Sequence, residues 1–234
     1  MSRVTLTLQR PFRIRYRDSV HAALVTGLRA AGAEEAQVIG PHAAPWTFAI
    51  DARSFTGGVT LVRAITISTS DEKMGEVLLR LDPAAIRCRS SNGDVIDLSA
   101  AVLQPLMLPL APDQDHVAVS FASPFLVSEQ GSAKKTYARS TAGLDLSAAF
   151  SAGLSRRLGR PVYLHVAQDR LSAMTDGAAP ILVRVRKSGL RDLILPALSA
   201  ILTLRGSAQD VRDGYLAGLG EKTRYGFGCP MVLA

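Results

Sequence analysis

The chain has few of the residues that staple, ligate or anchor a protein. Two cysteines, Cys88 and Cys229, occur in 234 residues, in unrelated contexts and without CxxC spacing. That excludes a disulfide framework and the common zinc patterns, so neither a metal nor another cofactor is expected. Long apolar runs are missing too. Ala100–Ala111 and Leu193–Leu204 are the longest, and both contain proline and fall short of the roughly 20 residues a bilayer span needs. The N-terminus carries Arg3, Arg10, Arg13, Arg15 and Arg17 with no apolar core between them, unlike a secretory signal. A cytoplasmic location, away from membrane, is the expectation. Histidine is scarce as well: only His21, His42, His116 and His165 could titrate near neutral pH unperturbed.

What is present is a normal core and an excess of positive charge. Apolar residues make up 47% and charged residues 20%, which suits a chain that buries an interior. Twenty-seven Lys and Arg against 20 Asp and Glu give a net charge of +7 and a pI near 9.8. Such a field draws polyanions, nucleic acid above all.

Hydrophobic periodicity predicts an element order that occurs twice. Val4-Thr-Leu6-Thr-Leu8-Gln alternates as a half-buried strand. Asp18 or Ser19 caps a helix whose Val20, Leu24 and Leu28 share a face, with Gly32 to end it. Strands follow around Trp46–Ile50 and Val59–Ser68. A second helix begins near Ser70, with Met74, Val77, Leu78 and Leu81 as its buried stripe. Ala85–Arg89 reads as a closing strand, giving β-α-β-β-α-β. A proline-punctuated stretch, Gln104 to Pro112, reads as a linker. Beyond it come a strand with Val117, Val119 and Phe121, and a helix with Leu146, Phe150, Leu154 and Leu158 stopped by Gly159 and Pro161. Strands at Val162–Val166, Ile181–Lys187 and Leu202–Leu204 follow, with a loop of undetermined shape before the last. A helix opened by Ser207 and a strand over 228–233 finish the chain. The expected organisation is a first ferredoxin-like domain over 1–103, a linker over 104–114 and a second over 115–234. The fold class is α+β.

Between the last helix and the last strand lies Gly218-Leu-Gly220-Glu-Lys222-Thr-Arg224-Tyr-Gly226-Phe-Gly228. Glycine serves where a backbone takes positive φ or approaches another chain segment closely. A dinucleotide or phosphate loop needs strand, glycine turn and then helix, which is the reverse order, and Thr223 stands where GxGxxG requires its third glycine. At these residues the chain resembles the CRISPR RNA-processing endoribonucleases of the repeat-associated mysterious protein (RAMP) superfamily, whose signature is Gly-x-Gly, five residues, Gly-Phe-Gly. Ser123-Pro124-Phe125 is similar to the end of the strand that opens that family's second domain, and Pro45-Trp46-Thr47-Phe48 resembles its aromatic second strand. The resemblance implies two tandem ferredoxin-like domains.

It also implies a partner, a CRISPR repeat RNA that forms a stem-loop, and possible association with other subunits of a CRISPR effector complex. Phosphate neutralisation calls for clustered cations. Candidates are Arg10, Arg13, Arg15 and Arg17 after the first strand; Lys134, Lys135 and Arg139 in a loop; Arg156, Arg157 and Arg160 at a helix C-terminus; Arg184 and Arg186 on one strand face; and Lys222 and Arg224 in the glycine loop. Cations at a helix C-terminus are also favoured by the helix dipole alone.

The implied reaction is metal-independent attack of a ribose 2′-hydroxyl on the adjacent phosphate, leaving a 2′,3′-cyclic phosphate and a 5′-hydroxyl. It requires a base of near-neutral pKa and a cation or hydroxyl for the phosphorane. Family members commonly place a histidine between the first helix and the second strand, the interval that His42 occupies. His21 in the first helix is the alternative base. Tyr16, Arg29 and Lys222 are candidates for stabilising the phosphate, because no lysine follows His42 closely. A non-cutting RNA-binding subunit with the same fold is the competing reading.

Overall fold

Alternation of Val4, Leu6 and Leu8, all buried, carries the first strand as expected, and the strand then runs further. In the computed structural model, which describes residues 2–40, 43–54, 59–91, 93–129, 135–175, 180–189 and 191–233, β1 spans Ser2–Ile14. Its register against the third strand shifts between Thr7 and Phe12. Pro11 has no N–H to give a ladder, and a bulge is where a strand tolerates that. The strand that the sequence ends at Gln9 therefore continues, and Arg13 is a strand residue.

Helix α1 (Arg17–Ala30) buries Val20, Ala23, Leu24 and Leu28. Neither Asp18 nor Ser19 caps it: the N-cap is Tyr16, which offers no side-chain acceptor. Asp94, from a distant turn, instead anchors the approach to the helix, accepting from the N–H groups of Arg15 and Tyr16 at 3.1–3.2 Å and from the Ser19 hydroxyl at 2.7 Å. A long-range anchor of this kind leaves no local signature. The short helix α2 (Glu35–Val38), β2 (Trp46–Ser54), β3 (Thr60–Thr69) and α3 (Glu72–Leu79) follow. Asp71 caps α3 by accepting from the Met74 N–H at 2.7 Å.

The expected closing strand over 85–89 is corrected by the structure. β4 (Arg87–Arg89) pairs only with β5 (Val95–Asp97), in a separate two-stranded ribbon. The strand that closes the sheet is β6 (Ala101–Pro105), paired with β1. Pro105 is accommodated because β6 lies at the sheet edge. The expected division after residue 103 thus falls inside this strand.

The sheet order β2-β3-β1-β6 is repeated in kind by the second half. There β7 (His116–Ser123), α4 (Leu146–Leu158), β8 (Leu164–Gln168), α5 (Arg170–Thr175), β9 (Ile181–Ser188), β10 (Arg191–Ala197), β11 (Leu202–Gly206), α6 (Ala208–Ala217) and β12 (Cys229–Val232) give a sheet of order β12-β7-β11-β8. Both are ferredoxin-like sheets, each with its own apolar core. β9 and β10 form an extra hairpin between the second and third sheet strands. The sequence shows β9, but the segment over 191–197 reads as loop because Arg191, Asp192 and Pro196 interrupt its pattern. The two halves meet where Arg3 of β1 is buried against Tyr215, 4.7 Å from its ring, with Nη2 3.5 Å from the Cys229 sulfur.

Because Asp94 holds the backbone of Arg15 and Tyr16 leading into α1 and the Ser19 hydroxyl, Asp94→Ala is expected to cost about 1.5–3 kcal/mol of stability, the range for a hydrogen bond to a charged group. Urea denaturation of both proteins measures it.

Candidate nucleic-acid interface

The glycine segment leaves α6 and folds back against the first half of the molecule, where there is no room for side chains. Gly218, Gly220, Gly226 and Gly228 all have positive φ, between 63° and 84°. A Cβ at Gly220 would lie 2.5 Å from the Leu126 carbonyl oxygen, and one at Gly226 would lie 2.6 Å from the Phe48 ring. Both requirements for glycine, conformation and close approach, are therefore met. Lys222 is the one non-glycine residue with positive φ among the described residues.

Burying this backbone requires donors for its carbonyls. Arg157 of α4 donates to the carbonyls of Ala217 at 3.1 Å and Gly218 at 2.7 Å, and to the Thr223 hydroxyl. Arg17 of α1 donates to the Gly226 carbonyl and lies 5.3 Å from the Phe227 ring. Thr47 of β2 donates to the carbonyls of Phe227 at 3.0 Å and Thr223 at 3.3 Å. His21 of α1 donates through Nδ1 to the Arg224 carbonyl at 2.7 Å. That bond assigns the tautomer, since a carbonyl only accepts, and leaves Nε2 as the unprotonated nitrogen. Burial lowers the pKa of Arg17 and of Arg157 to about 10, so both remain charged at neutral pH.

His21 also stands in an aromatic stack. Its ring is 4.4 Å from Tyr225 and 5.7 Å from Trp46, which in turn lies 6.1 Å from Phe48. Burial lowers the His21 pKa, with the bond to Arg224 acting in the opposite direction.

The structure sorts the sequence-derived cations into three groups. Arg17, Arg157 and Arg224 are committed to backbone; Arg224 donates to the Gly40 carbonyl at 2.8 Å. Arg160 is held by Asp210 at 2.7 Å and by Asp213, and Arg29, far along α1 from His21, pairs with Glu35 at 3.3 Å. Exposed cations remain at Arg10, Arg13, Arg15, Arg139, Arg156, Arg186 and Lys222. Lys222 is close enough to Lys135 and Arg186 that, after burial, their charges help to lower its pKa. Lys135 itself pairs with Glu221. Near the start of α1, Tyr16 donates to Asp192 at 2.8 Å, and Asp192 lies 3.0 Å from Arg184. The bond to Asp192 raises the Tyr16 pKa and keeps the phenol protonated.

His42 and Lys134 lie outside the described residues. The backbone before His42 is nonetheless tied to the glycine loop through Gly40, and after it Ala44 N–H donates to the Gln37 carbonyl at 2.8 Å. His116 is exposed beside Asp115, and His165 sits on β8, away from the loop. Sequence reasoning missed Thr47, Tyr225 and Asp192. Tyr225 stands inside the motif and could have been singled out as an aromatic among cations.

The fold and site define a class of protein: two ferredoxin-like units in tandem, joined by a buried C-terminal glycine loop with a cationic rim. Within that class the chain belongs to the family described as CRISPR associated protein Cas6, C-terminal, whose model matches residues 109–232. Solved structures with the same fold include a Cas6-related protein from Pyrococcus furiosus, at 16% identity and a TM-score of 0.68 over 99% of this chain and 98% of that one. A RAMP protein that binds different RNA substrates gives 16% and 0.67 over the whole of both chains. A Cas6 product complex gives 18% and 0.58 over 99% and 98%. No curated protein matches the chain significantly.

Two outcomes follow from this packing. Arg157→Ala leaves buried carbonyls without a donor and should cost on the order of 3 kcal/mol, with Arg157→Lys failing to restore it because a single ammonium cannot reproduce the planar fork. Chemical denaturation compares the three proteins. Separately, His21 has a lower pKa folded than unfolded, so the unfolded chain takes up the proton first as pH falls. Stability should therefore drop as pH is lowered from the unfolded histidine value near 6.5. His21→Gln should flatten that slope relative to the parent protein.

Proposed function

We propose that this protein is an endoribonuclease that binds the repeat RNA of CRISPR transcripts and cuts them into guide RNAs without a metal ion. The observation that carries the reading is the glycine loop: it completes the family signature and docks on α1 beside His21. Around it lie Lys222, Arg186 and Lys135. The family match supports the RNA-processing role, and the cationic rim suits a phosphate backbone.

In the proposed reaction a base removes the proton of a ribose 2′-hydroxyl, and the oxygen attacks the adjacent phosphorus. The bond to the 5′-oxygen breaks, and that oxygen leaves with a proton as a 5′-hydroxyl, the other product being a 2′,3′-cyclic phosphate. His42 is assigned as the base on the resemblance, supported by the tie of Gly40 to the loop. His21, stacked with Tyr225 and Trp46 and with Nδ1 engaged, is assigned to positioning the loop. Lys222 is the cation offered to the phosphorane; burial and the charges of Lys135 and Arg186 lower its pKa, and a bound phosphate acts in the opposite direction, favouring the ammonium.

Repeat RNA incubated with the protein in excess EDTA should be cut at one phosphate. His42→Ala should slow that cut by about 10²–10⁴-fold, the range for losing a general base, and leave affinity unchanged. Cleavage that survives His42→Ala but is lost in His21→Gln, with the loop intact, moves the base to His21. Tight binding of RNA that stays whole makes the protein a non-cutting RNA-binding subunit.

A further inference from the structure

Beside the start of α1 the hairpin β9–β10 encloses a cleft of about 480 Å³ against β1, β2 and β3. Its walls are aliphatic, with Ile14, Ile50 and Ile194 among them, and Arg15, Arg17 and Arg184 supply its positive charge. Two residues further along β9 comes Arg186, close enough for its charge to act on Lys222 of the glycine loop. The cations thus form a line from the cleft to the loop.

At Arg184 a carboxylate meets that line. Asp192 of β10 is about one-third exposed. One of its oxygens accepts from the Tyr16 hydroxyl at 2.8 Å and the other lies 3.0 Å from Arg184 Nε. Arg15 is near enough for its charge to act on Tyr16 as well. A phenol O–H and a guanidinium converging on two oxygens of one anion is the arrangement that also suits the two non-bridging oxygens of a phosphodiester.

We propose that Tyr16 and Arg184 form a phosphate subsite on the RNA path, and that Asp192 occupies it in the RNA-free protein as a carboxylate the substrate must displace. The inference rests on the RNA-processing reading. The subsite borders the cleft through Arg184, and it takes a phosphodiester of an unpaired nucleotide, because a cleft of about 480 Å³ admits a single strand and not an A-form stem. While in place, the carboxylate neutralises Arg184 and discourages polyanions that lack enough further contacts to displace it.

A simple tether between hairpin and helix would place the same groups in contact, and Asp192→Asn separates the two roles. Asparagine keeps an oxygen for Tyr16 and removes the charge. The probe is 2′-O-methylated repeat RNA, which has no free nucleophile and stays whole during the measurement. Fluorescence anisotropy across a salt series should show Asp192→Asn binding about 5–10-fold tighter, with the salt slope steeper by about 0.7, the value for one added single-strand phosphate contact. Tyr16→Phe in the Asp192→Asn background should remove most of the gain. Asp192→Ser serves the same purpose should the asparagine variant melt early. Equal or weaker binding by folded Asp192→Asn or Asp192→Ser overturns the subsite. Parent protein that neither binds nor cuts unmodified repeat RNA overturns instead the reading on which it rests.

Discussion

The junction of the two ferredoxin-like units depends on satisfying the buried backbone of residues 217–228. Glycine allows that segment to pass within contact distance of Leu126, Phe48 and Thr47. Close passage removes water from the carbonyls, so each needs a protein donor. Arg17 and His21 from α1, Thr47 from β2 and Arg157 from α4 supply them. Each hydrogen bond adds only about 1 kcal/mol net, but leaving any one unmade costs more than making it gains. The loop, the first helix and the second strand are therefore held as one unit.

That constraint changes what the basic residues are for. A net charge of +7 suggests a surface spread with cations, yet several arginines point inward and bind backbone. Arginine suits this use because its planar fork reaches two carbonyls at once, as Arg157 does with Ala217 and Gly218. The exposed remainder includes Arg186 and Lys222 at the loop and Arg15 by the cleft, and under the proposed function these are the cations left for RNA. Charge composition pointed to a class of partner; burial shows which charges serve architecture.

The sequence was legible where the periodic pattern was local. The alternation of Val4 to Leu8, the stripe of α3 and the glycine stop after α4 all appear in the fold as expected. It misled where a long-range partner supplied the missing piece. Asp94 anchors the entry to α1 from 78 residues away, β6 enters the sheet through a segment that reads as a linker, and β10 forms because β9 pairs with it.

At the candidate site the division is similar. The motif alone located the loop, named its cations and pointed to the family, because glycines demanded by backbone geometry leave a spacing visible in one dimension. Which nitrogen of His21 is engaged, which arginines are spent on carbonyls, and that Asp192 stands between Tyr16 and Arg184 were decided only in three dimensions. Those facts arise from groups up to 209 residues apart meeting in a low-dielectric junction. Backbone conformation is encoded locally and can be read along the chain, whereas desolvation and charge pairing belong to neighbours that only folding brings together.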